Sequence, residues 1–235
     1  MIDHSSNTYK NIMEYKTESR KAHCLVVAYP AQGHINPMLN FCKRLQQHDE
    51  ITLTLVTTRF FCNKLQKLPS FISLDTISDG FDNGGYDEAE NAKVYFDRFR
   101  EVGTQTLCEL IEKLNTKGND NHVDCLIYDP FLPWVLDVAK SFGLIGAIFL
   151  TQNLGVDSIY YHVNRGMLQL PLLEDSNISI PGLPSLVPND MPSFLYEYGS
   201  EDTSTFDLLV GQFCDIEKAD WILCNTVYEL ETEVW

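Results

Sequence analysis

From Cys24 onward, short apolar runs rich in β-branched residues alternate with longer amphipathic stretches, and this alternation limits what the chain can fold into more than any other feature. Strands buried on both faces read as continuous apolar runs, and parallel strands need a crossover of at least about a dozen residues. The runs Cys24–Tyr29, Ile51–Thr57, Phe71–Ile77, Cys125–Tyr128 and Ala147–Leu150 are therefore predicted as strands. Between them the spacing predicts helices over Pro37–Gln47, Arg59–Lys67, Glu88–Asn115 and Pro130–Phe142. In the third, Val94, Phe96, Phe99, Val102, Leu107, Leu110, Ile111 and Leu114 recur mostly at three- and four-residue steps, which predicts one buried face. Gly103 is a candidate kink in it. The expected fold is α/β, a Rossmann-like parallel sheet with helices on both faces.

Beyond Thr151 the pattern loosens. A helix is expected around Ser158–Gln169, and the prolines from Pro171 to Pro192 exclude a long helix or central strand there. That stretch is expected to form a loop wall over a pocket. A helix near Phe206–Lys218 should lead into a short strand, Trp221–Cys224. Residues 1–20 read as a disordered leader and 21–235 as one domain.

Charge and cysteine content narrow the function. With 17 Lys and Arg against 33 Asp and Glu, the net charge is −16 and no dense basic stretch exists, so nucleic acid and anionic membrane are not expected partners. No apolar run approaches the ~18 residues of a membrane helix, and Met1 to Arg20 lack the apolar core of a signal peptide. Cys24, Cys42, Cys62, Cys108, Cys125, Cys214 and Cys224 lie singly, without a C-x-x-C pair or a Cys/His cluster, as reduced core cysteines do. A cytoplasmic protein is expected. The chain carries no nucleophile elbow, no phosphate-binding glycine loop and no Asp-x-Asp pair for a metal.

Two strand ends carry candidate chemistry. In a doubly wound sheet the first and fourth strands become neighbours, and a ligand crevice opens at their C-terminal ends. The first strand ends in Tyr29-Pro30-Ala31-Gln32-Gly33-His34-Ile35-Asn36-Pro37, where Asn36 reads as an N-cap and Pro37 as the first helical residue. The positive end of that helix disfavours a further positive charge on His34, and a neutral imidazole can accept a proton. Gly33 permits a tight turn and close approach of a substrate. The fourth strand ends in Tyr128-Asp129-Pro130-Phe131, which places Asp129 within reach of His34 as a carboxylate that orients the imidazole. Each residue alone also fits a plainer role, His34 as a loop or capping histidine and Asp129 as an N-cap. Their joint position at one crevice is what points to chemistry.

The run Pro30-Ala31-Gln32-Gly33-His34-Ile35-Asn36-Pro37-Met38-Leu39 resembles the start of plant UDP-dependent small-molecule glucosyltransferases. Further matches follow in order: Leu55-Val56-Thr57-Thr58, Ile77-Ser78-Asp79-Gly80-Phe81, Ile127-Tyr128-Asp129-Pro130-Phe131-Leu132-Pro133-Trp134, and Cys224-Asn225-Thr226 with Glu229-Leu230-Glu231. The resemblance implies the N-terminal, acceptor-binding domain of a GT-B type glycosyltransferase. It implies that His34 is the base, that Asp129 supports it, and that Gly33 and Thr151 contact the sugar donor; Thr151 alternatively caps a helix before Gln152. Tyr29, Phe81, Phe131, Trp134, Asn153, Met191 and Phe194 become candidates for acceptor binding.

The implied reaction is inverting glucosyl transfer from UDP-glucose, a co-substrate, to a hydroxyl or carboxyl group of a phenolic, hormone or terpenoid, with no metal and no cofactor. The family binds its UDP-sugar mainly through a C-terminal domain whose Trp- and Gly-rich box has no counterpart in this chain. The chain alone is therefore expected to bind an acceptor weakly and transfer little or nothing. A catalytically silent small-molecule-binding module is the alternative. An unrelated α/β protein, in which His34 and Asp129 only cap helices, is the third reading.

Overall fold

A computed structural model describes residues 20–65, 68–116, 121–196 and 203–230. The predicted leader falls outside the described residues except for Arg20, as do the last two residues of the helix predicted over Arg59–Lys67.

The predicted runs form strands β1 (Ala22–Val27), β2 (Ile51–Thr58), β3 (Ile72–Ile77), β4 (Val123–Tyr128), β5 (Ile145–Leu150) and β6 (Trp221–Cys224). All pair in parallel, in the order β3-β2-β1-β4-β5-β6. The helices are α1 (Gln32–Leu45), α2 (Arg59–Cys62), α3 (Ala92–Thr116), α4 (Trp134–Ser141), α5 (Leu154–Asn164), α6 (Ser193–Tyr196) and α7 (Ser204–Gly211). Alternation along β1 sends Leu25 and Val27 into one core with α3, α4, α5 and α7, and sends Val26 and Ala28 into another beneath α1. Covering both faces is what a parallel sheet of apolar strands requires. The β1–β4 adjacency places the order reversal, and hence the crevice, at the C-terminal ends of these two strands.

Several helices depart from the sequence reading for identifiable reasons. Helix α1 starts at Gln32 rather than Pro37, so Asn36 is not its cap. Ile35, Met38 and Cys42 recur at helical spacing and are buried, and packing that stripe offsets the one hydrogen bond that Pro37 withholds from Gly33. Helix α4 starts at Trp134, because Pro133 steers Leu132 away from helical geometry. Helix α5 starts at Leu154 under an Asn153 cap, and it stops where Gly166 adopts φ 68°.

Gly103 does not kink α3, which runs continuously from Ala92 to Thr116. It makes room instead, since a Cβ there would lie 2.8 Å from Trp134 Cη2. The buried face of α3 includes Tyr95, whereas Val94 is 39% exposed. A hydrogen bond from the Tyr95 hydroxyl to the buried Asp79 carboxylate fixes that rotation.

The proline-rich stretch holds a single bridge, Ile178 to Leu186, and a 3-10 turn at Pro188–Asp190. Ile178, Ile180 and Met191 anchor it to the main core. Helix α7 ends at Gly211, and the rest of the predicted Phe206–Lys218 helix becomes turns and a 3-10 segment, Ile216–Lys218.

Candidate functional site

At the end of β1 the backbone turns through Tyr29 and Pro30 into α1, with the Ala31 N–H donating to the Tyr29 carbonyl at 2.8 Å. His34 is the third residue of α1 and lies in its first turn rather than ahead of the helix. Its side chain is 16% exposed. At the end of β4 the Asp129 N–H donates to the Val27 carbonyl at 2.9 Å, extending the β1–β4 ladder by one rung. That rung sets Asp129 beside the start of α1.

Asp129 is not the N-cap of α4. Its Oδ1 accepts the Phe131 N–H at 3.0 Å, a local turn that holds the carboxylate while its side chain is fully buried. The two carboxylate oxygens lie 2.9 and 3.1 Å from His34 Nδ1. An ionised carboxylate can only accept, so it keeps the proton on Nδ1 and turns the lone pair to Nε2. No protein group among the described residues bonds Nε2.

Thr151 follows β5, and its Oγ1 is 3.5 Å from His34 Nδ1, at the outer limit of a hydrogen bond. Its carbonyl accepts from Asn225 Nδ2 at 3.1 Å, which ties the end of β5 to the segment after β6. It does not cap α5, a task that falls to Asn153. Gly33 is exposed in the first turn of α1, at the positive end of the helix.

Aromatic rings enclose the imidazole. Its ring centre lies 4.6 Å from that of Phe131 and 5.1 Å from that of Tyr29, and Tyr29 continues the wall to Phe96 at 6.3 Å. Burial, reinforced by nearby acidic groups, pushes the Tyr29 phenol well above its usual value. Burial also raises the Asp79 carboxyl, even though Phe81 N–H and the Tyr95 hydroxyl donate to it.

The two rings packed on His34 each line a hollow, Phe131 one and Tyr29 the other. One, of about 530 Å³, runs between α3 and α7 and is lined by Phe96, Phe99, Phe131 and Trp134. The other, of about 150 Å³, is bounded by Tyr29, Asp79, Tyr86 and Tyr95.

The candidate acceptor residues divide accordingly. Tyr29, Phe131 and Trp134 border these hollows, and Phe81 stacks on Tyr95 behind them. Asn153 is an exposed helix cap, Met191 is buried in the main core, and Phe194 is 47% exposed on α6. The proline-rich stretch lines neither hollow. Phe96 and Phe99 were legible only as core positions, and the α7 wall, including Asp207 and Gln212, carried no sequence signal.

The fold places the chain among GT-B glycosyltransferases, as the domain that precedes the second half of those proteins. Os79 from O. sativa, solved in complex with U2F and trichothecene, matches it with a TM-score of 0.80 at 32% identity, over 90% of this chain and 48% of that one. No protein-family model matches the sequence. UDP-glycosyltransferase 74F2 of Arabidopsis thaliana is 41% identical over 224 residues, which cover 93% of this chain and 47% of the relative. Mogroside I-E synthase of Siraitia grosvenorii is 39% identical over 220 residues, 92% of this chain and 47% of its own length. The chain belongs to the plant UDP-glycosyltransferases and spans about half the length of the curated relatives it matches. No described helix is long and apolar enough to cross a membrane.

Proposed function

We propose that this chain is the acceptor-binding half of an inverting UDP-glucosyltransferase in which His34 is the base. One observation carries the reading: His34 gives Nδ1 to the buried Asp129 carboxylate and leaves Nε2 without a partner among the described residues, while its ring packs on Phe131, which lines an aromatic hollow. An acceptor hydroxyl placed against Nε2 gives up its proton as its oxygen attacks the anomeric carbon of the sugar. UDP leaves with the bonding electrons, and the linkage inverts. Asp129 stabilises the imidazolium that forms and holds the ring in one tautomer. Gly33, at the open end of α1, and Thr151, at the end of β5, face the donor side. The reaction needs no metal and no cofactor beyond the UDP-sugar.

The acceptor is a small plant metabolite of phenolic, hormone or terpenoid type, lying on the aromatic wall of Tyr29, Phe131 and Trp134. The protein acts in the cytoplasm. The donor is held mainly by a second half, and without it the chain binds acceptor and transfers little or nothing.

The test uses this chain joined to a donor-binding half. His34→Ala should abolish transfer to phenols while UDP-glucose still binds, and should spare carboxylate acceptors, which are already ionised. Undiminished transfer to a phenol removes His34 from the role of base. Equal losses for phenol and carboxylate would reduce it to a structural residue.

A further inference from the structure

The larger hollow carries a charge pattern that its aromatic floor does not explain. Four charged residues line it: Lys93, Asp97 and Arg100 along one side of α3, and Asp207 on α7. Lys93 and Asp97 pair with each other across one helical turn at 2.5 Å. Asp207 accepts the Thr203 hydroxyl at 3.1 Å. Arg100 differs. Among the described residues no carboxylate, carbonyl or ring engages its guanidinium, although Arg98, two residues earlier on α3, is paired with Glu101.

We propose that Arg100 reads a carboxylate on the acceptor, so that the substrate class is a hydroxy acid. This rests on the assignment of the hollow as the acceptor site. A planar guanidinium presents a fork of donors matched to a carboxylate, and it is hydrated weakly enough to give up water at the edge of an apolar surface. The floor beside it is Phe96, Phe99, Phe131 and Trp134, which suits a flat apolar body. A volume of about 530 Å³ lies in the range of small-molecule sites. Phe131 both lines the hollow and lies 4.6 Å from the His34 ring, centre to centre, so in this assignment a hydroxyl of the same molecule is carried past Phe131 to Nε2.

The lining charges sum to zero, and the whole chain carries −16, so no broad field draws an acid to this face. Recognition therefore depends on the local contact with Arg100. The carboxylate held there is not the group that reacts, and the product is a glucoside of the hydroxyl.

Binding to the chain as it stands tests this. Isothermal titration at pH 7 with 4-hydroxycinnamate and with its methyl ester compares two ligands that share ring and hydroxyl and differ in the anion. The acid should bind about tenfold more tightly. Arg100→Gln should narrow that ratio to within about twofold, and Arg100→Lys should fall between, because an ammonium keeps the charge and loses the fork. Equal affinities in the unsubstituted chain, or a ratio unmoved by Arg100→Gln, would overturn the assignment of Arg100 and leave the hollow standing. Failure of both compounds to bind would overturn the acceptor site as well.

Discussion

The two ends of strands β1 and β4 hold the same residue types and treat them in opposite ways. At the N-terminal end, His23 is 3% exposed, and both ring nitrogens are occupied, Nδ1 facing the Asn121 carbonyl at 3.0 Å and Nε2 the Thr54 hydroxyl at 2.9 Å. Asp124 accepts the His23 backbone N–H at 2.8 Å and a forked pair of bonds from Arg20. At the C-terminal end, His34 is 16% exposed, uses one nitrogen on Asp129 and leaves the other without a partner among the described residues. A histidine bonded on both sides and sealed from water has no place to put a substrate proton. One that is bonded on one side and open on the other can take it. Residue identity is alike at the two ends, but the His23 ring meets a carbonyl and a hydroxyl where the His34 ring meets a carboxylate, and what separates structure from chemistry is the second nitrogen.

The contrast can be broken most sharply by removing each histidine in turn, in a protein carrying both halves. His34→Ala should lower kcat/KM for a phenolic acceptor by roughly 10²–10⁴-fold, and should also cost about 1–3 kcal/mol of stability because the buried Asp129 carboxylate loses its side-chain partner. Asp129→Asn should cost about a hundredfold in the same assay, since the imidazole keeps its place but loses the charge that stabilises its protonated form. A loss greater than that of His34→Ala would mean that Asp129 acts on more than the imidazole.

His23→Ala should destabilise without touching the reaction. It strands the Thr54 hydroxyl in a buried site, and should cost about 1–3 kcal/mol in chemical denaturation with kcat preserved. A matching fall in kcat would erase the distinction between the two ends.

Gly103→Ala probes the wall of the hollow rather than the proton path. The added methyl would meet Trp134 Cη2 at 2.8 Å and Phe99 Cδ2 at 2.9 Å. The crowding outweighs the ~1 kcal/mol that helix propensity returns, so the substitution should destabilise by about 1–2 kcal/mol and loosen acceptor binding.

The smallest effect belongs to Arg20. Its hydrogen bonds hold the Asp124 carboxyl below its ordinary value of 3.8. A depressed carboxyl stabilises the fold above the unfolded value and loses that contribution as pH falls through the folded one. Arg20→Ala should therefore cost about 0.5–1 kcal/mol at neutral pH and flatten the stability curve below about pH 4. Identical acid limbs in the two proteins would show that the pair contributes nothing to acid stability.

Much of the sheet was legible because a strand buried on both faces announces itself locally. Five of the six runs became strands with no end moved by more than two residues, and Trp221–Cys224 kept its bounds. The neighbourhood of His34 and Asp129 also followed from pattern, since alternating strands and helices imply a wound sheet and a wound sheet makes β1 and β4 adjacent. Helix starts did not follow. Asn36-Pro37 and Asp129-Pro130 look like cap and first turn by local chemistry, yet burial of Ile35 pulled one helix forward and Pro133 pushed the other back. The choice of Tyr95 over Val94 for the core depended on Asp79, a partner 16 residues away in sequence.

The sequence by itself determined the order of elements, the apolar faces and the presence of a histidine and an aspartate at two strand ends. Those are properties of neighbours along the chain, written in periodicity and side-chain type. Only the tertiary structure decided that His34 lies inside α1, that Asp129 takes its Nδ1, and that Asn153 caps a helix and Met191 packs in the core while Phe131 and Trp134 line a hollow. Each depends on which surfaces meet across the sheet, and such contacts are set by packing among residues far apart in the chain.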